Sequence, residues 1–370
     1  MEPSLFIDLV QKYFPKLVLR TSQTINGADN NDNPYYFRRF LGRRFSLTGK
    51  WEALSTSRTR VMADVVAFDS SLPLKKRPAL SAAAGEIPKL GMEMALNESD
   101  LTNLQLMASS TLTPESQIIS SLFRDTVSCI TGQYERIEHM FLEGLSRGAV
   151  VVAKGPTTET SAGNVGTEIR LDFQYKADHL FNATVPFGQP TATPLSDIAL
   201  MVAKSEVDGY PIRRILLDRT TMNNILKSDE AKGIYAEVNN IINGVTFPPT
   251  QDQLNAATQS RWGYVFEVIV RTTQYQINGV DVAVQPWAAG QIIGINNDNL
   301  GDIVWSRLAE MAAPVAGVTY QIADEFILAS KYRVNRPSLA EFTSSQSRAV
   351  PVISAIDQIY HLDSTKAATT

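Results

Sequence analysis

The spacing of hydrophobic positions changes several times along the chain, and each change marks a different element. Alternation is strictest at Thr167–Lys176, where Ile169, Leu171, Phe173 and Tyr175 interleave with Glu168, Arg170, Asp172 and Gln174. That is the two-residue period of a strand with one buried face. Two further stretches, Val61–Phe68 and Ile87–Leu96, are β-patterned; in the second, Leu90, Met92, Met94 and Leu96 alternate with Gly91, Glu93 and Ala95. They read as the two arms of a long hairpin. The 18 residues between them, Asp69–Glu86, hold Pro73, Pro78 and the basic cluster Lys75, Lys76 and Arg77, and are too many for a tight turn. One pair of strands buries little apolar surface and is marginal alone in water. Val61, Val65, Leu90 and Met92 are therefore expected to need an apolar surface, plausibly on another subunit, and the basic tip an acidic one.

The period then becomes helical. Thr113 followed by Pro114 is a helix-start signal and Gly148 a stop. Between them Ile119, Leu122, Phe123, Val127, Ile130, Tyr134, Ile137, Phe141 and Leu145 recur at three- and four-residue spacing. This predicts a helix of about 34 residues, roughly 50 Å long. Gly132 and Gly144 lie inside it and are candidate kinks, or a break into two helices. Beyond Gly148 come a strand (Ala149–Ala153), a Gly/Thr/Ser-rich hairpin loop and the alternating strand. Then follow a helix (Leu195–Glu206), a strand (Ile212–Leu217), a helix (Thr221–Glu237), strands at Tyr264–Arg271 and Val280–Gln285, and a β-like tail from Ala340 to Leu362. Helices and strands mingle without a regular βαβ repeat, which predicts an α+β fold. No internal repeat is visible.

Composition narrows the class. A chain of 370 residues with 44% hydrophobic and 19% charged residues is globular, with length for about two compact units. Lys and Arg number 34 against 38 Asp and Glu, a net charge of −4, so the chain as a whole is not a phosphate-neutralising nucleic-acid binder. No run approaches the roughly 18–20 apolar residues of a membrane span. The start lacks a signal-peptide pattern, so a cytoplasmic chain is expected. The single cysteine, Cys129, excludes an intrachain disulfide and reads as a small buried hydrophobe. One charge block stands out: Tyr35–Lys50 holds Arg38, Arg39, Arg43, Arg44 and Lys50 among aromatic residues, with no acid. The four arginines are expected in an arm lying across neighbouring subunits, with DNA a secondary contact at most.

Candidate chemistry is sparse. Glu135, His139 and Glu143 fall four apart on the long helix, but opposite its apolar stripe, where an exposed charged face is the expectation and a metal site is not assigned. The glycines between Val151 and Gly166 lack the Gly-Lys-Ser/Thr of a phosphate loop. No Gly-x-Ser-x-Gly elbow occurs, and His179 and His361 have no nucleophile motif nearby. No catalytic residue and no cofactor is assigned.

The order of basic arm, long hairpin, long helix, two-stranded return, α+β body and β-rich tail resembles that of phage major capsid proteins. VMADVVAF at Val61–Phe68, LGMEMALNESDL at Leu90–Leu101, the helix region Asn97–Gly148, EIRLDFQYKADHLFNAT at Glu168–Thr184 and LAEFTSSQSRAVPVISAIDQIYHL at Leu339–Leu362 resemble in particular the lambda-type major head protein family, which has the Hong Kong 97-type capsid fold. The resemblance covers roughly half the chain, in the family's order. It implies an N-terminal arm at 1–60, an extended loop at 61–96, a peripheral domain with its spine helix at 97–183, an axial domain at 184–325 and a return to the peripheral domain at 326–370. It also implies self-assembly through hexamers and pentamers into an icosahedral shell around double-stranded DNA, which is held by weak non-specific contact. Scaffold, portal and decoration proteins are the implied partners, with assembly in the host bacterial cytoplasm and no membrane. No long acidic helical region precedes the arm, so a separate scaffold or none is expected. An encapsulin-like compartment shares the fold; an α+β enzyme would need a converging polar site, and the long helix disfavours a tail-tube protein.

Overall fold

The structure is a computed structural model that describes residues 1–27, 35–56, 80–110, 114–152, 169–238, 247–277, 280–335 and 338–367. In chain order it begins with α1 (Ile7–Ile25), α2 (Tyr36–Phe40), β1 (Leu41–Phe45), β2 (Lys50–Thr56), β3 (Leu80–Glu86), β4 (Lys89–Leu96) and α3 (Glu98–Ser109). Next come α4 (Glu115–Arg147), β5 (Ala149–Val152), β6 (Ile169–Asp172), β7 (Leu180–Ala183), α5 (Pro194–Val207), β8 (Arg214–Leu217), α6 (Arg219–Lys227), α7 (Asp229–Val238) and α8 (Gln251–Trp262). The chain continues through β9 (Val265–Val268), β10 (Thr273–Ile277), β11 (Val280–Val284), β12 (Gln291–Ile295), β13 (Gly301–Ser306), α9 (Ala309–Ala312), β14 (Thr319–Ala323), β15 (Ile327–Val334), β16 (Ala340–Ile353) and β17 (Ile359–Ala367). The fold is α+β.

Two compact units share these elements. The first comprises Met1–Trp51, Gly85–Phe141 and Gly301–Val352. Its sheet runs β1-β13-β16-β15-β14, with β4 also on β16. Strand β16 is its centre because it is long enough to pair with β15 through Ala340–Ser347 and with β4 through Glu341–Arg348. Ile87–Leu96 thus supplies a sheet strand, β4. The described hairpin is β2 with β3, while Val61–Phe68 lies outside the described residues. Alternation identifies a strand but carries no information about its partner. Helix α1 packs along β14 and buries Val10, Phe14 and Val18, with the Phe14 ring stacked 6.3 Å from that of Phe123 on α4.

The second unit comprises Glu52–Ala84, Leu142–Leu300 and Ile353–Thr370. Its mixed sheet runs β7-β17-β12-β8-β9, parallel at the β17–β7 and β8–β9 pairs. Ile198 and Met201 of α5, Met222 and Ile225 of α6, and Leu254 of α8 close over Ile215, Leu217, Ile292 and Leu362. The expected helix at Thr221–Glu237 is two helices, broken at Ser228, whose backbone is extended and whose hydroxyl accepts from Ala231 N at 3.2 Å. The expected strand at Thr167–Lys176 narrows to β6, paired with β5, and Gln174 turns the chain at φ 53°. The tail divides: β16 belongs to the first unit and β17 to the second, and the second unit's central stretch ends at Leu300 because β13 and β14 pair with β16 and β15.

Helix α4 is continuous for 33 residues, about 50 Å. Its two glycines serve close packing. A Cβ on Gly132 would lie 2.5 Å from Met92 Sδ, and one on Gly144 would lie 2.5 Å from Phe173 Cε2 and 2.9 Å from Val150 Cγ2. The two sites differ in what can yield, since Met92 is a flexible, part-exposed side chain whereas Phe173 and Val150 are buried. Gly132→Ala is therefore expected to be neutral or to stabilise soluble subunits by up to about 1 kcal/mol through helix propensity. Gly144→Ala should destabilise them by about 1–3 kcal/mol in urea unfolding through overpacking. Equal effects at both positions would contradict this packing.

Candidate assembly elements and the polar groups that hold them

In the first unit the long helix meets β15 and β16, α1 and the start of α2. Strand β16 turns Thr343, Ser345 and Ser347 toward it, two residues apart on one face. Gln133 Nε2 donates to Ser345 O at 3.1 Å and to Ser345 Oγ at 3.0 Å, and Ser347 Oγ donates to Gln133 Oε1 at 2.8 Å. Ser345 Oγ donates to Cys129 O at 2.6 Å, and the Cys129 thiol donates to Thr343 O at 3.4 Å. Small hydroxyl side chains allow this approach while satisfying groups taken out of water. Burial pushes the Cys129 thiol up to about 12, which fits the reading of a small inert hydrophobe.

The charged face expected on this helix is not exposed. His139 and Glu143 are buried, as is Glu138, and Glu135 is half-buried, whereas Val127 from the expected stripe is 48% exposed. Periodicity finds the most apolar face; it does not show that neighbours cover the polar face too. Glu138 explains part of this. Its carboxylate accepts from the backbone N–H groups of Tyr36 at 2.9 Å and Phe37 at 3.0 Å, the first two of α2, where a helix start has donors to spare. Tyr35 Oη donates to Glu135 at 3.0 Å.

This anchor aims the basic block inward. Arg38 forms a buried ion pair with Asp324 and lies 5.1 and 5.0 Å from the ring centroids of Phe37 and Tyr134. Arg43 reaches Asp324 Oδ1 at 2.6 Å, and Tyr134 Oη donates to Asp324 Oδ2 at 3.0 Å. Asp324 and its neighbour Glu325 sit at φ 52° and 69°, left-handed backbone that non-glycine residues adopt at a cost. Within the chain, the acidic partner of both Arg38 and Arg43 is Asp324. A sequence cannot show that the acid-free block 35–50 folds back onto residue 324. Arg39 lies over the Phe40 ring at 4.7 Å, and Arg44 is 3.9 Å from Asp302; both are exposed.

A second buried charge pair lies in the same sheet. Lys331 and Glu341 are fully buried, 3.6 Å apart; Lys331 Nζ also donates to Leu122 O and Thr343 Oγ1, each at 3.0 Å, and Ser4 Oγ donates to Glu341 at 2.6 Å. Burial holds the lysine below its ordinary value, against the pull of Glu341 and Asp125.

In the second unit, the C-terminal carbonyls of α4 are taken up by side chains, as a buried helix end requires. Tyr175 Oη donates to Leu145 O at 3.0 Å, and His361 Nε2 lies 3.1 Å from Ser146 O, while Ser146 Oγ accepts from Ala288 N at 3.0 Å. Burial holds the His361 imidazole below its ordinary value. His179, which is buried, stacks on Tyr360 at 4.2 Å and faces Ile359 O at 3.0 Å and Asp208 at 3.2 Å.

Of the remaining residues expected to carry assembly, Leu90 is half-buried and Met92 is 37% exposed, both on β4 opposite Ser347 and Ser345. Val61, Val65, Lys75, Lys76 and Arg77 lie outside the described residues. Among the described residues no group of three or more His, Cys, Asp or Glu side chains is placed to hold a metal, and no helix is long and apolar enough to cross a membrane. Sequence reasoning missed Glu138, Asp324, Lys331 and Glu341. The one visible signal was a charge set inside a run of apolar residues.

Known proteins place this arrangement. A prophage protein of Escherichia coli CFT073 described as a capsid protein superposes with a TM-score of 0.55 at 11% identity, covering 94% of this chain and 98% of that one. A phage-related protein of Bordetella bronchiseptica RB50 does so with a TM-score of 0.51 at 11% identity, covering 94% and 98%. A search of curated proteins gave no match. The fold is the Hong Kong 97-type phage capsid fold. The profile of the family phage major capsid protein E matches residues 33–309, about three quarters of the chain; the chain belongs to that family and is a capsid shell protein of a phage.

Two outcomes follow from the buried groups. Lys331→Met, which strands the Glu341 carboxylate, should cost soluble subunits about 3–5 kcal/mol in urea unfolding, and the double change with Glu341→Leu should recover most of that loss. Because His361 is depressed in the folded chain, the unfolded chain binds more protons once pH falls through the ordinary histidine value of about 6.5. Subunit stability should therefore fall as the solution is acidified from neutral to about pH 5, and His361→Gln should flatten part of that slope. An unchanged slope would contradict the buried neutral imidazole.

Proposed function

We propose that copies of this chain close, through hexamers and pentamers, into the icosahedral head shell of a tailed phage around its double-stranded DNA genome. The observation that carries this reading is the family match, which runs unbroken from the arm through the long helix and into the α+β body of the second unit. A shell subunit needs a strut to transmit curvature and a compact body to pack around symmetry axes. Helix α4, with 33 residues fixed along its length by β16, α2 and Phe173, suits the first role, and the five-stranded unit suits the second. In these terms residues 1–60 are the arm, 61–96 the extended loop, 97–183 and 326–370 the peripheral domain and 184–325 the axial domain. The extended loop, with Val61, Val65, Leu90 and Met92, lies on a neighbouring copy, and Lys75, Lys76 and Arg77 meet its acids. Arg39 and Arg44, exposed on the arm, lie against neighbouring copies. The net charge of −4 fits weak, non-specific contact with packaged DNA. Scaffold, portal and decoration proteins are the further partners, and assembly takes place in the bacterial cytoplasm. The role is structural, with no catalysis.

The test combines particle content with assembly. Particles from the native source should hold nuclease-resistant double-stranded DNA; packaged protein cargo in its place would overturn the phage-head reading. Reversing Lys75, Lys76 and Arg77 to Glu should abolish shells while the subunit keeps its circular dichroism, and normal shell yield would count against the loop contact.

A further inference from the structure

Helix α5 is amphipathic in an unusual sense. One face, with Leu195, Ile198, Met201 and Val202, is buried in the core of the second unit. The opposite face carries Ser196, Ala199, Leu200, Ala203 and Val207, all exposed, Leu200 to 62% and Val207 to 84%. None of these side chains is charged, and at the N-terminal end Ser196 is bonded to Glu230 of α7. The exposed side of α8 in the same unit is ordinary by comparison, with Asp252, Gln253, Gln259 and Arg261. A single exposed leucine needs no explanation, but a solvated helix face normally carries charge along its length.

We infer that this face of α5 seats on a second copy of the chain in the shell, an inference that rests on the shell reading above. Three features select that occupant. The stripe has no Lys or Arg, so it offers nothing to neutralise DNA phosphates. Ala199 and Ala203 are small enough for another chain to approach closely, with Leu200 and Val207 as the apolar side chains to be buried. The rim at its C-terminal end is acidic, with Glu206 exposed and Asp178 60% exposed beside Lys204, while Arg213, Arg219 and Lys227 of the same unit are exposed bases. Every copy thus carries both an apolar stripe with an acidic rim and the bases to meet it, the condition for a head-to-tail contact that repeats around a ring.

The test uses the full chain with the photo-crosslinking residue p-benzoylphenylalanine in place of Leu200. Irradiated shells should give covalent adducts of the chain with itself, and dispersed subunits should give none. Shells with no adduct, or with adducts only to DNA or to a different protein, would overturn the inference and leave the shell reading standing. If the unmodified chain forms no shells, both fall. As an independent measure, Ala203→Glu lies on the exposed face, so the subunit should keep its circular dichroism and urea midpoint while shell yield drops about tenfold, the effect of roughly 1.4 kcal/mol at one contact. Full shell yield from a folded Ala203→Glu chain would also overturn it.

Discussion

The first unit depends on the burial of a 33-residue helix that carries its own polar groups inside. A helix covered on one face can leave its charges in water; α4 between Gln133 and Ser146 cannot, and each polar group there must find a partner in protein. That requirement accounts for much of the local sequence. Strand β16 presents serines and a threonine where a sheet core would otherwise carry valine or isoleucine, because Gln133 and the Cys129 backbone must be met. The chain at Tyr36 and Phe37 starts a five-residue helix beneath Glu138 because its free N–H groups and that carboxylate satisfy one another.

Once the start of α2 is fixed on Glu138, Arg38 and Arg43 converge on Asp324 in the turn between β14 and β15. The turn's left-handed backbone is held by two guanidinium groups and the Tyr134 hydroxyl, so helix, arm and sheet share one carboxylate. Lys331 and Glu341 form a second tie, from β15 and β16 to the backbone of α4 at Leu122 and to Ser4 near the N-terminus. Such pairs add little net stability but strongly disfavour any arrangement that separates them.

Much of this was legible in the sequence. The long helix and its end at Gly148 follow from spacing and a stop residue, and the α+β class from the mixture of elements, because both depend on neighbours along the chain. The resemblance in passages such as Glu168–Thr184 pointed to the family that the profile identifies. Pairing was not legible: β4 joins β16 across more than 240 residues, and a strand's alternation is the same whichever partner it takes. The inward course of Arg38 was hidden for the same reason, since an acid-free block reads as an exposed basic arm until Asp324 is placed beside it. Glu138 and His139 were hidden by amphipathic reasoning itself, which assumes one wet face and fails for a helix surrounded by its own fold.

The central proposal is that copies of this chain build a closed icosahedral shell, and cryo-electron microscopy of purified particles tests it most directly. The account predicts closed icosahedral particles in which α4 of every copy is straight and Arg38 remains on Asp324 of its own chain. A monodisperse monomer from the native source, or shells in which Arg38 pairs with a neighbouring copy, would contradict it.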